Sequence, residues 1–237
     1  MQDSVYSDLL YAFTQPGCPV CWFVERAEES YLKELVTQKL NDPETRRRIR
    51  EGLGFCNDHA RFLTSNNLID SLNLAILYHD ILLNALMSLP GKNTVQRPPA
   101  QLSVWFDRLF RKKNSHADLL SVDKQCPACL ERERATNLFL TRLEETGLDE
   151  SISKALSSSG GLCLPHLFRA IERIHHDEVK SIMLTISSDK LEALRRDLTI
   201  TMRNQENLPA KKKFSFERNL WIKIIKVTVG ERAGKFD

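Results

Sequence analysis

All six cysteines of the 237-residue chain fall into one repeated pattern. Its first instance is Cys18-Pro19-Val20-Cys21, followed by Gly54-Phe55-Cys56-Asn57-Asp58-His59. Its second is Cys126-Pro127-Ala128-Cys129, followed by Gly161-Leu162-Cys163-Leu164-Pro165-His166. First to third cysteine spans 38 positions in one instance and 37 in the other, and Glu25-Arg26 is matched by Glu133-Arg134. Each instance supplies three sulfurs and an imidazole, the donor set of tetrahedral zinc, with bonds of about 2.3 Å to sulfur and about 2.0–2.1 Å to nitrogen. Two residues between ligands let both reach one ion from a turn or from the first turn of a helix. The free N–H groups at a helix start also lower the pKa of a cysteine there. The spacing predicts two Zn2+ sites: Cys18, Cys21, Cys56 and His59 in one, and Cys126, Cys129, Cys163 and His166 in the other. Four protein ligands leave no open position on the ion for an activated water. The expected role is therefore structural, with metal binding contributing to folding, and no catalytic residue is assigned.

Two other chemistries compete for the same residues. Cys-Pro-x-Cys at a helix start is also a thiol–disulfide redox motif, but no clear strand precedes Cys18 or Cys126, and a redox dithiol has no use for the Cys-x2-His elements. A Cys3His-ligated iron–sulfur cluster is the second competitor, although the close cysteine spacing of ferredoxins is missing. Glu172 and His175 sit one helical turn apart, yet no second Glu-x-x-His accompanies them, so they read as a solvated helix end. His79 beside Asp80 reads as a hydrogen-bonded core or edge histidine. No phosphate-binding glycine loop is present.

The elements that must position the ligands read as helices, and the fold class is all-α. Val20, Val24, Ala27, Tyr31 and Leu35 mark one face of a helix beginning near Cys18. Asp42-Pro43-Glu44 provides a cap, a first-turn proline and a first-turn acid for the next helix. A third runs from Cys56 towards Leu89. Within it Asp70, Asn73, Asp80, Asn84 and Ser88 form a narrow polar stripe beside a broad apolar face, as expected of a buried helix or an oligomer interface. Helices are further predicted over 126–145, 149–157 and 164–207, the last with a break near Asp177 or Ser187-Ser188. A final helix carries Leu220, Trp221, Ile224 and Ile225, is capped by Ser215 and ends at Gly230. The predicted organisation is a first unit over 1–89, a linker with a short amphipathic helix over 90–125, a second unit over 126–206, and a basic loop and helix over 207–237. Duplication is the simplest origin of the two units.

Charge and compartment narrow the function. The 34 Lys+Arg nearly balance 31 Asp+Glu, so the whole chain is no polyanion binder by charge alone. Residues 207–237 are nevertheless basic, and Lys211, Lys212 and Lys213 make nucleic acid a second candidate partner after protein. The start Met1-Gln2-Asp3-Ser4 lacks the basic and apolar regions of a signal peptide. No stretch reads as a membrane span, and the expected compartment is the cytoplasm, where stable disulfides are rare. The paired Cys-Pro-x-Cys and Gly-(Phe/Leu)-Cys-x2-His elements, with a tryptophan-bearing final helix, resemble an uncharacterised family of bacterial proteins classed as a domain of unknown function. The resemblance implies a duplicated helical fold and a bacterial source, and brings no activity. The resulting expectation is a non-enzymatic zinc-binding scaffold for a partner.

Overall fold

The structure is a computed structural model, described over residues 2–40, 42–65, 71–88, 126–206 and 218–231. Every regular element among the described residues is a helix. In chain order these are α1 (Gln2–Thr14), α2 (Pro19–Glu34) continuing into a π-helical turn (Leu35–Lys39), α3 (Pro43–Glu51), α4 (Asn57–Ser65) and α5 (Ser71–Ser88). They continue with α6 (Pro127–Glu145), α7 (Glu150–Ser158), α8 (Leu164–Arg173), α9 (Asp177–Glu206) and α10 (Arg218–Val229). The sequence-predicted linker over 90–125 and the Lys211–Lys213 loop with the Ser215 cap lie outside the described residues. No helix among the described residues is long and apolar enough to cross a membrane.

The chain divides into two compact units, Met1–Ala27 with Arg134–Asp237, and Glu28–Glu133. The boundaries fall inside α2 and α6, so each of these helices contributes its two ends to different units. In the first unit Leu9, Phe13, Val20 and Val24 share a core with Phe139, Leu140, Leu143, Ile152, Leu156 and Met183. Phe139 meets the rings of Phe13 and Phe23 edge-on, at centroid distances of 6.0 and 5.4 Å, the arrangement favoured by the aromatic quadrupole. Asp149 caps α7 by accepting the Ile152 N–H at 2.9 Å, and the Tyr6 hydroxyl donates to its other oxygen at 2.8 Å, tying α1 to the start of α7.

The predicted 164–207 helix breaks at Ile174–His176, just before Asp177, and runs unbroken through Ser187-Ser188. At the break the Glu144 carboxylate accepts both the His175 and the His176 N–H, at 2.5 and 3.0 Å. It thereby satisfies donors that a helix start would otherwise leave unpaired.

The second unit is built on Leu32, Leu35, Val36, Ile49, Leu63, Leu77 and Ile81. Asp42 accepts the Thr45 N–H at 2.8 Å with Pro43 in the first turn, as the sequence predicts. Of the predicted polar stripe Asp70 lies outside the described residues, and α5 is not the buried helix that is one of its two expected roles. Asp80 turns inward to Arg46 at 2.8 Å, and the Asn84 amide donates to the Arg50 carbonyl at 3.0 Å, while Leu72, Ile76, Leu82 and Leu86 are exposed. Only Leu77 and Ile81 of this helix are fully buried among its described side chains. An arginine-rich neighbour, α3, supplies partners that draw the acid and amide towards it, and the leucines on the opposite faces follow the rotation outward.

Candidate metal centres

All eight sequence-predicted ligands gather into two clusters, but in crossed sets. One cluster is Cys18, Cys21, Cys163 and His166; the other is Cys56, His59, Cys126 and Cys129. The expected grouping of Cys18 and Cys21 with Cys56 and His59, and of Cys126 and Cys129 with Cys163 and His166, is therefore corrected. The Cys-Pro-x-Cys of each instance meets the Cys-x2-His of the other, and each complete set lies within one compact unit.

The helices between the two halves of each instance differ in length. From Pro19 through Lys39 the chain runs helically, a rise of roughly 30 Å, against about 13 Å for the nine residues of α3. The second instance repeats the mismatch, with 19 residues in α6 and nine in α7. Each Cys-x2-His lies in a different compact unit from the Cys-Pro-x-Cys of its own instance.

Within each cluster the four ligand atoms lie within 4.8 Å of one another. In the first, His166 Nδ1 is 3.6 Å from Cys18 Sγ, 3.3 Å from Cys21 Sγ and 3.2 Å from Cys163 Sγ, and Cys21 and Cys163 sulfurs are 3.7 Å apart. In the second, His59 Nδ1 is 3.0 Å from Cys56 Sγ and 3.5 Å from both Cys126 and Cys129 Sγ, and the Cys56 and Cys129 sulfurs are 3.6 Å apart. Tetrahedral zinc with ordinary bond lengths has edges of about 3.8 Å between sulfurs and about 3.6 Å between sulfur and nitrogen. These donors therefore fit one tetrahedral ion per cluster. All six thiols are free, and the sulfur separations are far beyond a disulfide bond of about 2.05 Å.

Each of the four ligand pairs sits at a helix start. The carbonyls of Cys18, Cys56, Cys126 and Cys163 each accept the first helical N–H, from Trp22, Ala60, Leu130 and Leu167. The first centre lies between the N-termini of α2 and α8, the second between those of α4 and α6. The free N–H groups and positive dipole ends of two helices therefore face three sulfurs. Gly54 and Gly161, at φ of 99° and 80°, make the left-handed turn that delivers Cys56 and Cys163. Gly160 packs against the backbone of Gly17, so that a side chain at 160 would strike the Gly17 carbonyl; this approach seats Cys163 beside Cys18.

Electrostatics reflect the crowding of thiols. Burial opposes ionisation of Cys18, but contacts from Cys163, Cys21 and His166 hold its thiol well below the usual range. Hydrogen bonding with Cys163 and Cys18 pushes Cys21 up, and the Cys18 sulfur is the main cause that raises Cys163 to about 12. In the second centre burial opposes, yet His59 and the N–H groups of Cys56 and Cys129 bring Cys126 down to about 6. Burial disfavours the His59 imidazolium too, but Cys126 and Glu28 raise its pKa to about 10. In both centres the leading cysteine of Cys-Pro-x-Cys is held below the usual thiol range. Ligation of a metal then displaces the remaining protons.

Sequence reasoning missed Glu28 and Arg132. With Nδ1 turned to the sulfurs, His59 Nε2–H donates to Glu28 Oε1 at 2.9 Å, and Arg132 grips both Glu28 oxygens, at 2.7 and 2.9 Å. Glu28 is 5% exposed, and its carboxyl is held low by His59 and Arg132 against the opposing effect of burial. This is the carboxylate–histidine arrangement that fixes a metal ligand's tautomer and ring orientation. Its signal was a single acid on the buried stripe of α2, between Val24 and Leu32. At the equivalent offset after Cys129 stands Thr136, so the two centres are chemically inequivalent. The other singled-out groups are solvated. Glu172 and His175 are exposed, and His79 is exposed 3.6 Å from Asp80.

The class of protein is thus an all-α chain carrying two buried Cys3His clusters positioned for metal. The chain belongs to a family of unknown function, DUF6062, whose profile matches residues 8–214. It is also similar to a protein of Caldicellulosiruptor sp. (strain Rt8B.4) described as an uncharacterized 23.9 kDa protein in the xynA 3' region. The two are 26% identical over 194 residues, covering 78% of this chain and 81% of that protein. No solved structure matches the chain.

Proposed function

We propose that each Cys3His cluster holds one structural Zn2+ and that the protein is a non-enzymatic helical scaffold for a protein partner. The observation that carries the metal reading is the tetrahedral fit of four buried or half-buried donors in both crossed sets. Four protein ligands complete the coordination sphere, which suits a structural ion and leaves no place for substrate. Donor atoms all within 4.8 Å enclose a single ion more readily than a cluster of several irons, which disfavours the iron–sulfur alternative. A redox role for Cys-Pro-x-Cys is disfavoured because each pair is enclosed by a third sulfur and an imidazole.

The exposed leucines of α5 support a protein partner. The basic run of α3 gives the nucleic-acid alternative no support, since Arg46 pairs with Asp80, Arg47 with Glu44 and Glu51, and Arg48 with Glu44. Zinc thiolates persist where disulfides do not form, so the reading carries with it a reducing compartment such as the cytoplasm. We read residues 1–89 and 126–206 as descendants of one ancestral Cys-Pro-x-Cys…Cys-x2-His segment.

Elemental analysis of the purified protein tests the metal reading, with about two zinc ions per chain expected. Iron with absorbance near ~400 nm, or metal-free protein with reversibly oxidised Cys-Pro-x-Cys pairs, would overturn it.

A further inference from the structure

Outside the four ligands, the first centre is touched by the segment that follows α10. The Glu231 N–H donates to Cys21 Sγ at 3.3 Å. Gly230, at φ of 82°, passes over the sulfurs, and a Cβ there would be in van der Waals contact with them, 3.4 Å from Cys163 Sγ and 3.5 Å from Cys21 Sγ. The Glu231 carboxylate is held by Lys226 of α10 at 2.8 Å and covers Gly17, the residue before Cys18, where a side chain would collide with it. α10 itself packs on α8, the helix that starts after Cys163 and carries His166.

We infer that Gly230 and Glu231 form an outer-sphere lid on the first metal centre, and that an ion in that centre in turn holds α10 in place. The inference rests on reading the clusters as zinc sites. An N–H donated to a metal-bound thiolate is charge-assisted and draws charge from the sulfur, while the close backbone excludes water and competing ligands. Glycine suits position 230 because the backbone there is left-handed, at φ of 82°, while a Cβ would only touch the two sulfurs at ordinary van der Waals distance. The dependence also runs the other way. No described side chain of α10 is fully buried, Ile225 and Val229 are exposed, and a helix of 12 residues is marginal alone. Its anchorage therefore leans on the contacts at its C-terminal end.

Glu231→Pro deletes the N–H donor, whereas Glu231→Gln keeps it and loses only the charge. Zinc release from the full-length chain is followed with a chromogenic chelator. One of the two ions should leave Glu231→Pro roughly ten-fold faster than wild type, with Glu231→Gln within about two-fold of it. N-ethylmaleimide mapping should show Cys21 and Cys163 labelled in that phase, with Cys56, Cys126 and Cys129 still protected. Hydrogen exchange of α10 should rise as that ion leaves. If Glu231→Pro loses helical content, a chain ending at Val229 carries the same test. Unchanged release of both ions, or acceleration confined to the Cys56 set, overturns the lid while leaving the zinc reading intact. A wild-type chain without metal overturns both.

Discussion

Glu28 shows what a single side chain contributes to the second centre. It is an acid on a buried helical stripe, and its cost of burial is offset by two hydrogen-bonded partners, His59 and Arg132. Glu28→Ala should leave the Arg132 guanidinium and the His59 ring without their shared anchor. We expect a loss of about 3 kcal/mol in stability and roughly ten-fold faster metal release from the second centre alone, read by denaturant melts and chelator kinetics. Release unchanged at both centres would show that His59 needs no such support. The eight donors were legible from residue type and the x2 spacing. Their division into sets was not, and alkylation tests it directly. Cys163→Ser should expose Cys18 and Cys21 to N-ethylmaleimide and leave Cys126 and Cys129 protected; the reverse labelling pattern would restore the uncrossed sets.

At the scale of elements, local chemistry wrote most of the boundaries. Asp42 and Asp149 were readable as helix starts because a short acidic side chain satisfies an orphan N–H there, and both do so. Asp149→Ala should cost about 1 kcal/mol in thermal or denaturant unfolding. Its carboxyl is held below its ordinary range by the Ile152 N–H and then by Tyr6, so the folded state favours the ionised form. The contribution is therefore present at neutral pH and is lost as pH falls below about 4, through the folded pKa. The wild-type advantage over Asp149→Ala should shrink in acid; an advantage constant from pH 7 to pH 3 would contradict this. Of the two readings of α5, the buried helix fails for a reason that propensity does not contain. Its polar stripe is complementary to α3, so Asp80 and Asn84 face Arg46 and the Arg50 carbonyl instead of solvent.

At the scale of the molecule, the crossed centres bind distant parts of the chain. The first joins residues as far apart as 148 positions and the second residues as far apart as 73, where uncrossed sites would each have closed a loop of about 40. An ion in each cluster would fasten two helix N-termini within one compact unit, so that metal affinity would become folding free energy. Chelation at neutral pH should lower the melting temperature by at least ~10 °C, with both units affected, followed by circular dichroism. A chain that melts unchanged after losing both ions would show that the helices pack without them. The amino-acid sequence alone determined that the chain is helical, where most helices begin, and which eight side chains bear thiol and imidazole donors. These follow from periodicity, capping and ligand spacing, all of which act over a few residues. Only the tertiary structure decided which donors meet, which acid braces His59, and which backbone covers Cys21. Those depend on contacts between residues far apart in sequence, which no local pattern encodes, and in the fold each Cys-Pro-x-Cys meets the Cys-x2-His of the other instance.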